Sequence, residues 1–363
     1  MKTEQLREKY HQASHQLDSS RNVSRDVIAI DPLQDPRWDA LVETHPNGWV
    51  CHLSAWKSVL EHTFPHMRGH YLALLGGGET EIRAGLPLFE VNSWLGKKLV
   101  SIPFATLSDP LISTTGDMNL LLNAALNLAA DLRISHLEIR SFKTSPLIHD
   151  FRLDQRNNFK LHSLMLDEGL EKLKNRFHLT SVRQCINRAL KSDFVVEPAS
   201  NHRDLYEFYR LYCLTRKRLG LPSQPLAFFE NLWDAFASTK KMVVLLARHK
   251  GLAVAGLINF RFNCRVSYET VGSDMGYRHL CPEHLLVWES IKQAQGDGYA
   301  IFDFGRTSVL NKGLMTFKQR WGTEVADLPH FYYPRERFQH LRSNESSLQY
   351  RLIRKTGYPL RSS

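Results

Sequence analysis

From Val27 onward the chain alternates between apolar runs of strand character and stretches of helical period, and it does so twice in the same order. VIAI, starting at Val27, predicts a strand. A helix carrying Trp38 and Leu41 follows, then a second over Ser54–Phe64 with Ser54 as its N-cap. YLALL and EIRAGLPLFEV predict two strands, and Gly76-Gly77-Gly78 between them predicts a hairpin turn. A phosphate-cradling loop would need a helix after it rather than a strand. KKLVSIPF predicts a third strand, Asn119–Leu132 a long helix, and HLEIR a short closing strand.

The order then recurs. Helices are predicted over Asp204–Leu219 and Ala227–Thr239, followed by the strand MVVLLAR, a turn at Lys250-Gly251, and the strand AVAGLINFRF. RVSYETVGS is the next strand, His284–Gln295 the next helix and YAIFDF the last strand. Gly85 falls opposite Gly256, and HLEIR opposite AIFDF. Each half is an antiparallel meander feeding a parallel crossover, an α/β (α+β) pattern with mixed sheets that resembles two tandem GNAT-like (acyl-CoA N-acyltransferase-like) domains. The predicted division is a polar leader over 1–25, an N-terminal domain over 26–165, a C-terminal domain over 166–335 and a basic tail over 336–363. Between the halves, SVRQCINRALK places Arg183, Asn187 and Lys191 on one helical face.

Length supports two domains: 363 residues exceed what one core usually serves. No run approaches the roughly 18 consecutive apolar residues of a membrane span, and MKTEQLREKYHQASHQLDSSR has no apolar segment of a signal peptide. These features predict a cytoplasmic protein. The five cysteines are scattered with no CxxC pair, which predicts reduced thiols rather than a disulfide frame or a zinc site. Metal binding is likewise not expected at His62, His66 and His70, which Pro65 interrupts, or at the crowded His279, Cys281, Glu283 and His284. Of the net charge of +10, half lies in the last 29 residues. Such a tail suits contact with an anionic membrane at its inner face, with tRNA or with an anionic precursor, and equally a solvated tail that only keeps the protein soluble.

The sharpest motif is FDFGRTSVLNKGLMTFKQRWG, beginning at Phe302. An acidic residue and Gly-Arg-Thr close a strand, then Gly and Phe-Lys-x-x-Trp-Gly follow, at Asp303, Gly305, Arg306, Thr307, Gly313, Phe317, Lys318, Trp321 and Gly322. Trp56, Pro103-Phe104, Arg183 to Lys191, Thr215, Leu219-Gly220-x-Pro222, Tyr268, and Pro282 with Trp288 fall in matching order. Over residues 27–335 the chain resembles the FemAB family, nearest its branch associated with exosortase (PEP-CTERM) and exopolysaccharide systems. The resemblance implies an acyl or aminoacyl transferase acting on an amine or hydroxyl of a cell-envelope glycan or lipid-linked, peptidoglycan-type precursor. It implies no tightly bound cofactor, the donor being aminoacyl-tRNA or acyl-CoA. The coiled-coil arm associated with tRNA in some members is absent between Ala227 and Val243. The rival reading is a non-catalytic module that binds an anionic polymer or membrane surface through the basic tail.

Acyl transfer needs a neutral nucleophile and charge stabilisation for a tetrahedral oxyanion. Lys318 is the expected catalytic cation, at the shoulder of an inward stripe of Leu314, Phe317 and Trp321. Asp303 is the expected second catalytic group, as proton acceptor or amine anchor, unless it merely pairs with Arg306 or caps the loop. Arg183, Asn187, Lys191, Tyr268, Arg306 and Trp56 are the expected substrate-binding residues, the cations among them gathered with Lys318 in a cleft between the halves. The segment Arg278–Pro282 lacks the glycine run with which GNAT domains cradle the coenzyme A pyrophosphate.

Overall fold

The computed structural model describes residues 27–76, 80–93 and 96–337, and within them the chain forms two mixed sheets of seven strands each. In the first sheet β1 (Val27–Ile30), β2 (Met67–Leu75), β3 (Ile82–Ser93) and β4 (Gly96–Val100) are antiparallel neighbours, and β5 (Leu137–Arg140) runs parallel to β4. The second sheet repeats the scheme. There β8 (Phe194–Pro198), β9 (Met242–His249), β10 (Leu252–Phe262) and β11 (Arg265–Ser273) are antiparallel, and β12 (Ile301–Ser308) runs parallel to β11. One helix makes each parallel crossover: α3 (Thr115–Asp131) in the first half and α8 (Pro282–Gly296) in the second.

Both faces of each sheet are covered, which is why the central strands read as continuous apolar runs. In β2, Leu72 and Leu74 face Met118, Leu121 and Leu122 of α3, while Tyr71 and Ala73 face Trp38 and Leu41 of α1 (Arg37–Thr44). The aligned glycines mark the same close approach in each half. A Cβ on Gly85 would stand 2.4 Å from the Trp38 ring, and one on Gly256 2.8 Å from Phe208 of α6 (His202–Arg218).

The halves are not joined by a thin linker. Trp56 of α2 (Ser54–Thr63) packs on Phe236 of α7 (Leu226–Phe236) at 5.9 Å between ring centroids and on Phe260 of β10 at 5.3 Å. Phe64 and Phe104 both meet Phe228, at 5.6 and 5.1 Å, so one apolar cluster runs through both halves.

The chain also exchanges strands between sheets. After β6 (Asp154–Arg156), β7 (Phe159–Met165) crosses into the second sheet to pair with β12 and with β13 (Glu324–Asp327). In return β14 (His330–Tyr333) pairs with β5 and β6 in the first sheet. The expected division at 165/166 groups β7 with the first half, whereas its ladder lies in the second; β14 is the converse.

Local expectations were met with shifts at the ends. The β2–β3 ladder closes at Leu75↔Ile82, as a hairpin requires, with Gly77 and Gly78 outside the described residues. Leu53, not Ser54, is the N-cap of α2; Ser54 instead donates its N–H and hydroxyl to the Asp39 carboxylate at 2.8 and 2.7 Å. The third strand ends at Val100, and Ser101–Phe104 leaves the sheet with Phe104 at a left-handed φ of 61°. The leader 1–25 and the tail beyond Arg337 lie outside the described residues. Among the described residues no helix is long and apolar enough to cross a membrane.

Candidate active site

Strands β11 and β12 are paired only over Arg265–Ser267 and Ile301–Asp303, and beyond that point they separate. Asp303 is the last paired residue and is 1% exposed. Its Oδ2 accepts from Arg265 Nη1 at 2.9 Å and its Oδ1 from the Gly305 N–H at 2.7 Å. Of the two alternatives to a catalytic role, the ion pair is made with Arg265 rather than Arg306, and the bond from Gly305 N–H caps the turn. A register shift between Asp303 and Gly305 turns the next residues, and the Arg306 guanidinium lies over the Phe159 ring at 5.2 Å.

Gly305 has φ 72°, a conformation that glycine adopts without strain. The turn directs two consecutive carbonyls at one cation. Lys318 Nζ, on α9 (Lys312–Gln319), donates to Gly305 O and Arg306 O, each at 3.0 Å. Asn311 caps α9 by accepting from the Leu314 N–H. Lys318 is 3% exposed, so the expectation of a lysine at the shoulder of an apolar stripe is corrected. The inward side of the helix is Lys318 together with Phe317 and the fully buried Trp321, while Leu314 reaches the surface. Burial lowers the Lys318 pKa to about 8, against the pull of Asp303 and Glu269, which favour the ammonium.

Glu269 completes the cluster, and sequence reasoning missed it. It lies on β11 two residues beyond Ser267, where the β10 pairing skips from Tyr268 to Thr270 and leaves Glu269 as the extra residue of a bulge. Burial and then the neighbouring Asp303 carboxylate raise its pKa to about 7, opposed by a hydrogen bond from Ser267 and by Arg306 and Lys318. The available signal was a lone acid inside RVSYETVGS, at the strand that precedes the crossover. His162, opposite Gly305 on β7, is buried and held neutral, its pKa lowered to about 4 by burial and by Lys318.

The first half borders this cluster. Thr106 Oγ1 lies 3.6 Å from where a Cβ on Gly305 would stand. The buried Cys51 donates to Leu107 O at 3.1 Å, and its thiol pKa is pushed well up by burial and by the charge of Glu269. A carboxyl that titrates near neutrality beside a buried ammonium, at the mouth of two diverging strands, can take a proton and stabilise a developing oxyanion.

The remaining expected residues do not gather here. Trp56 is a packing residue, 2% exposed between the halves. Tyr268 packs on Phe304 at 5.8 Å. Arg183, Asn187 and Lys191 lie on and after the turn Leu179–Arg183 and α5 (Gln184–Leu190), where Asn187 and Lys191 are exposed and Arg183 donates to Asn175 Oδ1 at 3.1 Å. The turn Leu179–Arg183 borders a separate cleft of about 470 Å3, lined by Ser181, His284, Lys312, Thr316, Phe317 and Arg320. At 100° per residue, Lys318 projects from the other side of α9. The helix start at Pro282 follows Cys281 in a left-handed conformation with φ 61°, with no glycine loop before it.

Residues 176–319 match the family described as Acetyltransferase (GNAT) domain. No curated protein matches the chain by sequence. Among solved structures, FemX superposes with a TM-score of 0.69 at 16% identity, over 87% of this chain and 99% of FemX. L-PGS from Bacillus licheniformis gives 0.57 at 13% identity, over 88% and 95%. A tandem GNAT protein from the clavulanic acid biosynthesis pathway gives 0.53 at 10% identity, over 85% and 97%. The second half is thus similar to GNAT acetyltransferase domains, and the two sheets together share the fold of FemX and of a tandem GNAT protein.

Proposed function

We propose that the chain is a GNAT-type acyltransferase that moves an acyl or aminoacyl group onto an amine of a cell-envelope glycan or peptidoglycan-type precursor. The observation that carries this reading is the Glu269–Asp303–Lys318 cluster where β11 and β12 diverge, within a segment similar to acetyltransferase domains. Glu269, as carboxylate, removes a proton from the attacking ammonium or amine. The nitrogen forms its bond to the acyl carbon, the carbonyl oxygen takes the negative charge, and Lys318 stabilises that oxyanion. Collapse restores the carbonyl and expels the donor's thiolate or ribose oxygen, which leaves with the proton that Glu269 took from the nitrogen. The Asp303–Arg265 ion pair fixes Asp303 and the turn at Gly305 that aims the two carbonyls at Lys318.

The donor is aminoacyl-tRNA or acyl-CoA. Purified protein supplied separately with acetyl-CoA and with charged tRNA, and an amine acceptor, tests the reading. Turnover with one donor is expected, lost in Glu269→Gln and in Lys318→Met; undiminished turnover in both variants would overturn the site. Binding titrated against salt separates the donors, because each tRNA phosphate contact releases counterions and steepens the slope.

A further inference from the structure

The fold brings together three soft donors that the sequence scatters over a hundred residues. Cys185 comes from α5, and Cys281 and His284 from the first turn of α8. The two sulfur atoms and a ring nitrogen of His284 all lie within 4.8 Å of one another. We infer that Cys185, Cys281 and His284 form a binding site for one zinc-class divalent ion, contrary to the expectation of isolated thiols and no metal.

Three features support the assignment. Tetrahedral zinc with bonds of about 2.0–2.3 Å holds its sulfur and nitrogen ligands roughly 3.5–3.8 Å apart, so donors within 4.8 Å of one another need close by about 1.3 Å at most. The His284 ring is held in place: it stacks on Trp321 at 5.8 Å and meets the Phe317 ring edge-on at 5.8 Å, which fixes its plane. Cys281 holds a left-handed φ of 61° just before Pro282, an uncommon conformation for a side chain with a Cβ. Two thiolates and an imidazole select zinc over magnesium or calcium, which prefer oxygen ligands.

Both thiols release their protons to solvent on binding, and a water completes the tetrahedron. The ion would tie α5 to the start of α8, beside the cleft that His284 lines. In that place a metal clip substitutes for the glycine loop as the device that shapes the helix start.

The test uses the full-length chain, reduced and stripped of metal, titrated with zinc against a chromophoric chelator and with cobalt(II) as a spectroscopic probe. One ion per chain is expected, with the thiolate charge-transfer band and intense visible bands of tetrahedral cobalt. Even losing a group that only orients a metal ligand costs about 10–100-fold in affinity, so Cys281→Ser and Cys185→Ser should each lose at least roughly 10². Cys264→Ser, at an exposed thiol outside the cluster, should bind as the parent does. If Cys281→Ser is poorly folded by circular dichroism, His284→Gln supplies the second comparison, with a cobalt spectrum changed but still thiolate in character. Three results would each overturn the site: no uptake by reduced protein, uptake unchanged in Cys185→Ser, or a Cys185–Cys281 disulfide forming in air with no metal affinity on reduction.

Discussion

Lys318 shows how a motif can single out a residue while leaving its surroundings unread. Its ammonium is buried against two main-chain carbonyls, so removing it costs structure as well as chemistry. Lys318→Met keeps the stem but removes the donor to the Gly305 and Arg306 carbonyls, at about 1–3 kcal/mol by denaturant unfolding. If the ammonium faces the oxyanion, turnover falls by about 10² to 10³ in the same variant. The two shifted pKa values set the pH profile. Activity requires Glu269 as carboxylate and Lys318 as ammonium, so kcat/KM should rise through about 7 and fall through about 8. Because the groups interact, these flanks belong to the pair. Glu269 also gives stability a signature. Between pH 4.5 and about 7 the folded chain keeps a proton that the unfolded chain has released. Its contribution to stability is therefore present below that window and lost as pH rises through it. Glu269→Gln should flatten the fall, and an unchanged Tm-against-pH curve in that variant would argue against the raised pKa.

At the scale of elements, the repeat was legible because it is written in local pattern. Leu72 and Leu74 alternate with Tyr71 and Ala73 toward two helical layers, and β9 and β10 alternate in the same way in the second half. Aligned glycines give the same message: Gly85→Ala and Gly256→Ala each drive a methyl into an aromatic ring. Each should cost about 1–3 kcal/mol of stability by overpacking, measured by thermal or urea unfolding. What stayed hidden was pairing between distant segments. The short strands β6, β13 and β14 carry no strong period, and β7 is stabilised by partners about 140 and 165 residues later in the chain. The alignment of HLEIR with AIFDF was also one residue out. Glu138, not Ile139, is the last residue paired in β5, as Asp303 is in β12, and each acid is held by an arginine, Arg140 or Arg265. Glu269 escaped notice for a related reason. Its importance comes from the divergence of two strands, which no local pattern reports.

At the scale of the whole molecule, the exchanged strands and the shared aromatic core make the halves interdependent. The first sheet has β14 inserted between β5 and β6, hydrogen-bonded to both. A fragment ending at 165 would lack it, leaving β5 with an open edge and exposing Phe331's place in the core. It would also carry β7, an apolar strand whose partners are elsewhere. The faces of Trp56, Phe64 and Phe104 that meet Phe228, Phe236 and Phe260 would be open to water. The fragment 26–165 should therefore be insoluble or unfolded, whereas the intact chain should unfold in one calorimetric transition despite its two sheets. Trp56→Ala probes the same coupling without cutting the chain. The loss of a buried indole should cost about 3–5 kcal/mol and lower the single transition without splitting it. Two resolved transitions in the parent, or a soluble fragment with native-like near-ultraviolet dichroism, would show that the halves fold independently. The proposed site depends on this coupling, since Thr106 and Cys51 of one half border Gly305 and Glu269 of the other. Trp56→Ala should therefore reduce turnover well below its denaturation temperature, with near-ultraviolet dichroism reporting the loosened contact. Full turnover in that variant would mean that the catalytic cluster is built by the second half alone.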